Sequence, residues 1–488
     1  MRSKDNLFHL IKAMSKSEKR YFVLDAKKSG RDASRYLSLF ESLSGMEDLD
    51  EEKLKAKFAK NLSSDKAYLY EAILRSMRDY RSPSSKAAQV KERLMDARFL
   101  YERGLYDQST QRIMEAKAMA RELEDQFTLL EINKEEQVSL FDRRAKVELE
   151  HIEKLDRERE SNLEAIEEEL KYLNLHYRLL LEVFREFNLK DENSIRELKK
   201  RLPIELLTEE NKPKSPQALR RYFLCNAAYF NLIGERRKVY HYFLETAKWW
   251  DGYGAFKEEE FYRYINDVSN LVNICNQIEE YFPVGKQWLE KLKHEESGTS
   301  FHNQKNIFLR LSIANLLHLL NQGEFDQAHK LLPEIIDGLN KFGLKKSIPL
   351  VGNITTVYFL VGDYKNCIKW ASHIIESMKT SGREDIQRVI RLYKVIANFE
   401  LDELEAAEAD IRSTQRFYKQ LGLKKEEFEN EVLNVFVKKI FNAPLSEVKA
   451  TLVDFKKYLD EVKSRPKAGN LLGVEELSIW AERKLRRG

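Results

Sequence analysis

Along most of the chain, apolar positions recur at steps of three and four residues, the stripe left by helices that pack on one another. In "SSDKAYLYEAILRSMRDYR", Tyr68, Leu69, Ala72, Ile73 and Met77 share one helical face. In "EKLDRERESNLEAIEEELKYLNLHYRLLLEVF", Leu163, Ile166, Leu170, Leu173, Tyr177 and Leu180 form a longer stripe. Its spacing also suits a coiled coil. Asp156 and Arg159 interrupt it upstream, however, and Leu175, Leu179 and Leu181 spread apolar surface around the helix. That spread favours a long hairpin helix buried among several neighbours over a coiled-coil dimer. Capping signals divide the start of the chain, with Ser17 and Gly30 bounding one helix and Ser34 and Gly45 the next. "SPSSK" at 82–86 reads as a linker, and "LPIELLTEENKPKSPQ" at 202–217 as a proline-interrupted joint.

A second regularity lies over the first. "N-Q-G-E-F-D-Q-A-H" places a glycine, an aromatic two residues on and a small residue five on, at Gly323, Phe325 and Ala328. "V-G-D-Y-K-N-C" repeats this 39 residues later at Gly362, Tyr364 and Cys367. A further step of 39 reaches "L-D-E-L-E-A", where Leu401 replaces the glycine and Ala406 keeps the small position. Upstream, Gly104, Tyr106 and Ser109 follow the rule, while Gly234 keeps only the glycine. Each copy is the chemistry of a helical hairpin. Glycine ends the first helix in the left-handed conformation, an acidic residue begins the second at its positive end, and the small residue lets the two backbones approach. Self-similarity at a fixed period marks a stacked array.

In these residues the chain resembles the tetratricopeptide repeat (TPR) family, whose turn reads G-x-[YF]-x-x-A. Tyr358 stands where that family keeps an aromatic in its first helix, and Ile374 at a packing position of its second. The likeness covers 315–410 and 90–122. The family's tryptophan and glycine in the first helix are missing, and 39 exceeds its usual period of 34. The expected fold is therefore all-α: a TPR-like helical-hairpin solenoid with a small N-terminal helical domain. The expected divisions are a basic helical domain at 1–87, hairpins with long charged helices at 88–201, a solenoid at 218–425 and capping helices at 426–488. The opening "SKSEKRYF" also resembles long bacterial TPR-like proteins, a likeness that carries no activity with it.

Composition changes this picture little. The 488 residues are 42% hydrophobic and 34% charged, with only 18 Gly and 9 Pro, a balance that favours helix. Cys225, Cys275 and Cys367 are far apart, which argues against a disulfide framework or a thiolate metal site and for a reducing, cytoplasmic setting. No apolar run approaches the ~20 residues of a membrane helix. The formal charge is +4, yet residues 1–88 hold 19 Lys/Arg against 13 Asp/Glu, a net of +6.

Candidate chemistry is sparse. "DGYGAFK" at 251–257 lacks the third glycine of a dinucleotide loop, and no His-x-x-x-His pair occurs among the nine histidines. No cofactor, metal or catalytic residue is expected. Trp249, Trp250 and Tyr253 straddle a helix end, where packing is the simplest expectation and partial exposure the more interesting one. The TPR resemblance implies a groove lined by the first helix of each hairpin. By register these positions are Tyr101, Arg221, Asn231, Arg310, Arg388, Arg391 and Asn398, a row suited to a peptide's carboxylates and backbone. The expected function is a non-enzymatic scaffold for a protein or peptide partner. The alternative is a transcriptional regulator whose head binds nucleic acid through a helix-turn-helix, with Lys66, Arg75, Arg78 and Arg81 on its second helix.

Overall fold

A computed structural model describes residues 6–28, 33–58, 60–142, 148–185, 192–295, 300–377, 383–464 and 471–487. Among these the fold is all-α, with no strand. The chain divides into two compact units. Unit 1 comprises Met1–Leu173, Pro213–Arg221 and Trp250–Phe261; unit 2 comprises Asn174–Lys212, Tyr222–Trp249 and Tyr262–Gly488.

Unit 1 begins with α1 (Asn6–Ala13), α2 (Lys16–Lys28), α3 (Ala33–Gly45), α4 (Glu51–Lys57) and α5 (Leu62–Arg81). They close on one core in which Ile11, Leu39, Leu54, Leu69 and Ile73 are wholly buried. The cap of α2 is Ser15, not Ser17: Ser15 and Glu18 exchange bonds in a capping box, at 2.7 and 3.2 Å, because only Ser15 has a glutamate three residues on. Gly30 lies outside the described residues, and Ser34 falls inside α3. Tyr68 is the member of its stripe that stays exposed, stacked on Tyr36 at 4.2 Å. After a 3₁₀ turn at Ser82–Ser84 come α6 (Lys86–Tyr101), capped by Ser85, then α7 (Tyr106–Glu122), α8 (Gln126–Asp142) and α9 (Leu149–Arg185). The core between α6, α7 and α8 is thin and built of small residues, chiefly Ala97, Ala116 and Ala120 with Val90, Ile113 and Ile132.

The next helices are α10 (Glu192–Arg201), α11 (Pro216–Leu232), α12 (Arg236–Trp249), α13 (Gly254–Glu259), α14 (Phe261–Cys275) and α15 (Phe282–His294). Unit 2 then runs through α16 (Phe301–Asn321), α17 (Phe325–Phe342), α18 (Ile348–Val361), α19 (Tyr364–Ser377), α20 (Glu384–Glu400) and α21 (Leu404–Gln420). From α16 to α21 each helix packs on the next, and α18 also packs on α16 and α20, a solenoid-like order.

One glycine bend is repeated along the chain. Gly104, Gly234, Gly323 and Gly362 all have φ between +73° and +82°. In each, the following N–H reaches back to a carbonyl five residues earlier: Glu324 to Leu319 at 2.9 Å, Asp363 to Tyr358 at 3.0 Å, Leu105 to Leu100 at 3.0 Å, Glu235 to Phe230 at 2.9 Å. These bonds satisfy carbonyls that a helix end would leave open. The third C-terminal copy sits one residue later than the 39-residue step places it. Asp402, not Leu401, takes the left-handed position at φ +59°, Glu403 bonds to Asn398 at 3.0 Å, and Ala407, not Ala406, is the buried small residue. A short polar side chain that bonds locally lets aspartate adopt what glycine adopts freely.

The C-terminal segment comprises α22 (Phe428–Glu431), a π-helical turn at Val432–Val437, α23 (Lys438–Asn442), α24 (Leu445–Ser464) and α25 (Val474–Arg487). It shares the core of α16–α21, with Val432, Phe455, Leu459 and Trp480 all buried. The last helix turns back to α18 and α20. Trp480 Nε1 donates to Glu400 at 2.9 Å, Lys484 pairs with the same carboxylate at 3.0 Å, and Arg483 donates to the Leu360 carbonyl.

Candidate functional site

In unit 2, α20 carries four polar side chains of one face, Arg388, Arg391, Lys394 and Asn398, and the fold answers each of them. Arg388 pairs with Glu427 at 3.5 Å and Glu429 at 3.4 Å. Arg391 is only 8% exposed, and its guanidinium lies 4.1 Å from the Phe417 ring centre. Lys394 and Asn398 converge on Asp410 at 3.1 and 2.7 Å. Tyr418, buried beneath them, donates its hydroxyl to the Arg388 carbonyl at 2.8 Å. Burial pushes the Tyr418 phenol well above its usual range and the Glu429 carboxyl upward against the pull of Arg388, and it lowers Arg391. Of the other expected residues in this unit, Arg310 is half-buried and donates to Asn266 at 3.0 Å, and burial lowers its pKa. Asn231 is half-buried near the end of α11.

Tyr101 and Arg221 belong to unit 1. Tyr101 ends α6 with its ring edge-on to Tyr106 at 5.4 Å. Arg221 acts on Glu169, which is also bonded by the Ser215 hydroxyl at 3.3 Å. Burial nevertheless prevails and raises Glu169 to about 7. Beside it, Glu168 accepts the Ser215 N–H at 2.9 Å, and burial raises Glu124 as well. The aromatic group at the end of α12 is core: Trp249 and Trp250 are buried, Trp250 stacked on Phe256 with Arg220 4.9 Å from its ring centre, and only Tyr253 is half-exposed.

In the head, Arg75, Arg78 and Arg81 are exposed, but they stand toward the C-terminal end of α5. Lys66, nearer its start, is half-buried and faces Glu51 at 3.6 Å. The preceding α4 has seven residues. In helix-turn-helix proteins it is the N-terminal part of the second helix that reaches bases.

A different surface was not flagged by sequence. Among the exposed large apolar side chains, many lie on α6–α9 of unit 1: Met95 and Phe99 on α6, Met114 on α7, Phe127 and Val138 on α8, and Leu149, Ile152, Leu163 and Leu170 on α9. Helices α8 and α9 are fixed by Asn133 donating to the Leu155 carbonyl at 2.8 Å and by Lys117 of α7 bridging Glu136 and Glu158 at 2.6 and 2.5 Å. Beside this tie runs an open groove of about 510 Å³ lined by Phe127, Leu130, Glu131, Asn133, Lys134, Gln137 and Arg159. The expectation that α9 is buried among several neighbours therefore holds for only part of its surface. Leu155, Ile166, Tyr172, Leu175 and Leu179 are buried, while Leu163, Leu170, Tyr177 and Leu181 face outward.

All three cysteines are buried, with the Cys275 thiol pushed up to about 12 and Cys367 raised further by burial. Among the described residues there is no group of three or more side chains placed to hold a metal ion, and no helix long and apolar enough to cross a membrane. Comparison with protein families, with curated proteins and with solved structures finds no match.

Proposed function

We propose that the chain is a non-enzymatic scaffold of TPR-like hairpins that binds a protein or peptide partner in the cytoplasm. One observation carries this reading: the apolar side chains that α6–α9 leave facing outward, with an open groove beside them. Where exposed apolar side chains join into one patch, they mark a surface of association. The arginine row of α20 is a weaker seat for the partner. Arg388 and Asn398 already have carboxylate partners, and Arg391 is buried on an aromatic face. The test is affinity capture of the tagged full-length chain from the cells that make it, with cross-linking to map the contact. Cross-links on α6–α9 support the reading; no co-purifying protein above the control discards it.

A second reading rests on Arg75, Arg78 and Arg81, exposed on a head of net charge +6. Such a face attracts phosphate through counterion release, so binding falls steeply with salt. Retention of the full chain on nonspecific DNA, lost on Arg75→Glu with Arg78→Glu, would favour the regulator. Retention that ignores both substitutions would remove it.

A further inference from the structure

We infer that α9 is a docking rail for an amphipathic helix of another protein, one whose apolar seam is bordered by lysine or arginine. The inference rests on the scaffold reading above and supplies its partner's chemistry. Leu149, Asp156, Leu163 and Leu170 are seven residues apart, and Ile152, Arg159 and Ile166 fill the intermediate positions. This is the spacing of a two-stranded coiled coil. Ile166 turns into unit 1, but Leu149 is 69% exposed, Ile152 45%, Leu163 47% and Leu170 48%. Four of the seven seam positions thus present an apolar side chain to the outside. From Leu149 to Leu170 the seam measures about 32 Å at the rise of an α-helix, the length of a three-heptad partner.

The border of the seam names the partner's charge. Glu153, Glu160 and Glu167 repeat at the same seven-residue step along its outer edge, with Glu150 and Glu164 beyond them, and all are exposed. Among the described residues, Glu153 alone of these five has an ion pair, a weak one to Arg157 at 3.8 Å. Residues at this edge set partner choice by their charge. A second copy of the chain does not fit. Antiparallel, it would set these glutamates against one another; parallel, it would set them against Leu155, Asn162 and Glu169, none of which is basic. A basic border answers every position.

The middle of the seam fixes the register. Asp156 and Arg159 occupy core positions and pair with each other at 2.9 Å. A polar pair at such positions specifies alignment at some expense of stability. Arg159 also lines the groove with Phe127 and Leu130. A partner side chain placed opposite it, one large enough to reach the groove, would anchor the helix there.

The test uses the full-length chain and two labelled 21-residue peptides with leucine at both seam positions, one bordered by lysine and one by glutamate. Fluorescence anisotropy should show the lysine peptide binding at least about tenfold more tightly, and weakening as salt rises. Leu163→Glu with Leu170→Glu should lose about tenfold in affinity for it, although the change adds negative charge. Both side chains are exposed, so circular dichroism should be unchanged. Equal or tighter binding by that variant would show attraction by charge alone and overturn the inference, as would binding of neither peptide. In the cellular capture, a partner retained by the same variant overturns the rail and leaves the scaffold standing. Failure of the wild-type chain to capture any partner is instead the failure of the scaffold reading.

Discussion

Helices α6–α9 of unit 1 and α16–α21 of unit 2 use the same hinge and reach opposite outcomes. Gly104 and Gly362 have φ of +73° and +82° and the same folded-back hydrogen bond. Yet α6 buries only Val90 and Ala97, whereas α18 buries ten of its residues, among them Leu350, Val351, Ile354, Val357 and Phe359. The hinge sets the angle at which two helices leave a bend. How many neighbours then cover them is set by what the helices carry. In α18 the apolar residues go all the way round, so burial requires cover from α16, α19, α20 and α25 together. In α7 the buried stripe is Ser109, Ile113, Ala116 and Ala120, narrow enough for one pair of neighbours. The thinly covered region is the one that leaves apolar side chains exposed.

Substitutions can break that contrast. The largest effect should come from Leu392→Ala in α20, fully buried in the unit 2 core, at about 2–5 kcal/mol in denaturant unfolding. Phe127→Ala on α8, more than half exposed, should stay within about 0.5 kcal/mol. Comparable losses at the two sites would mean that the regions do not differ as described. Next, Gly362→Ala should cost about 1–2 kcal/mol, since its φ of +82° excludes an easy Cβ. The same substitution at Gly104, φ +73°, should cost as much, which would show the hinge to be common to both regions. Smaller still, Asp402→Gly should stabilise by up to about 1 kcal/mol, because glycine relieves the left-handed strain that aspartate tolerates.

The most local effect concerns pH. Burial raises Glu169 to about 7 from an ordinary value near 4.5. The folded state therefore holds this proton more tightly than the unfolded chain does. Its contribution is fully present below about 4.5 and is lost as pH rises through about 7. Glu169→Gln should thus gain stability relative to the parent between pH 4 and 8, read as a growing gap in melting temperature. A gap that shrinks with rising pH would reverse the sign assigned to this site.

The hinges were legible because glycine at φ > 0 leaves a mark in sequence, and Gly323 and Gly362 take equivalent bends as their spacing implied. The third copy slipped by one residue because Asp402 carries no such mark. The polar row on α20 was placed on its helix correctly, but its answering groups were not visible. Glu427, Glu429 and Asp410 reach Arg388, Lys394 and Asn398 from later in the chain, and no periodicity within α20 points to them. For α9, spacing gave the stripe and could not say what covers it, since exposed and buried seams share one pattern. Leu149 and Ile152, seven and four residues before Asp156, were the overlooked sign that the seam resumes beyond the polar break.

The return of α25 onto α18 has a consequence for synthesis. The Leu360 carbonyl waits for Arg483, 123 residues later. At ribosomal speed that interval lasts roughly 6–25 s. Through it a helix apolar on every side lacks its final cover, so the nascent chain stays open to aggregation until Arg483 has emerged.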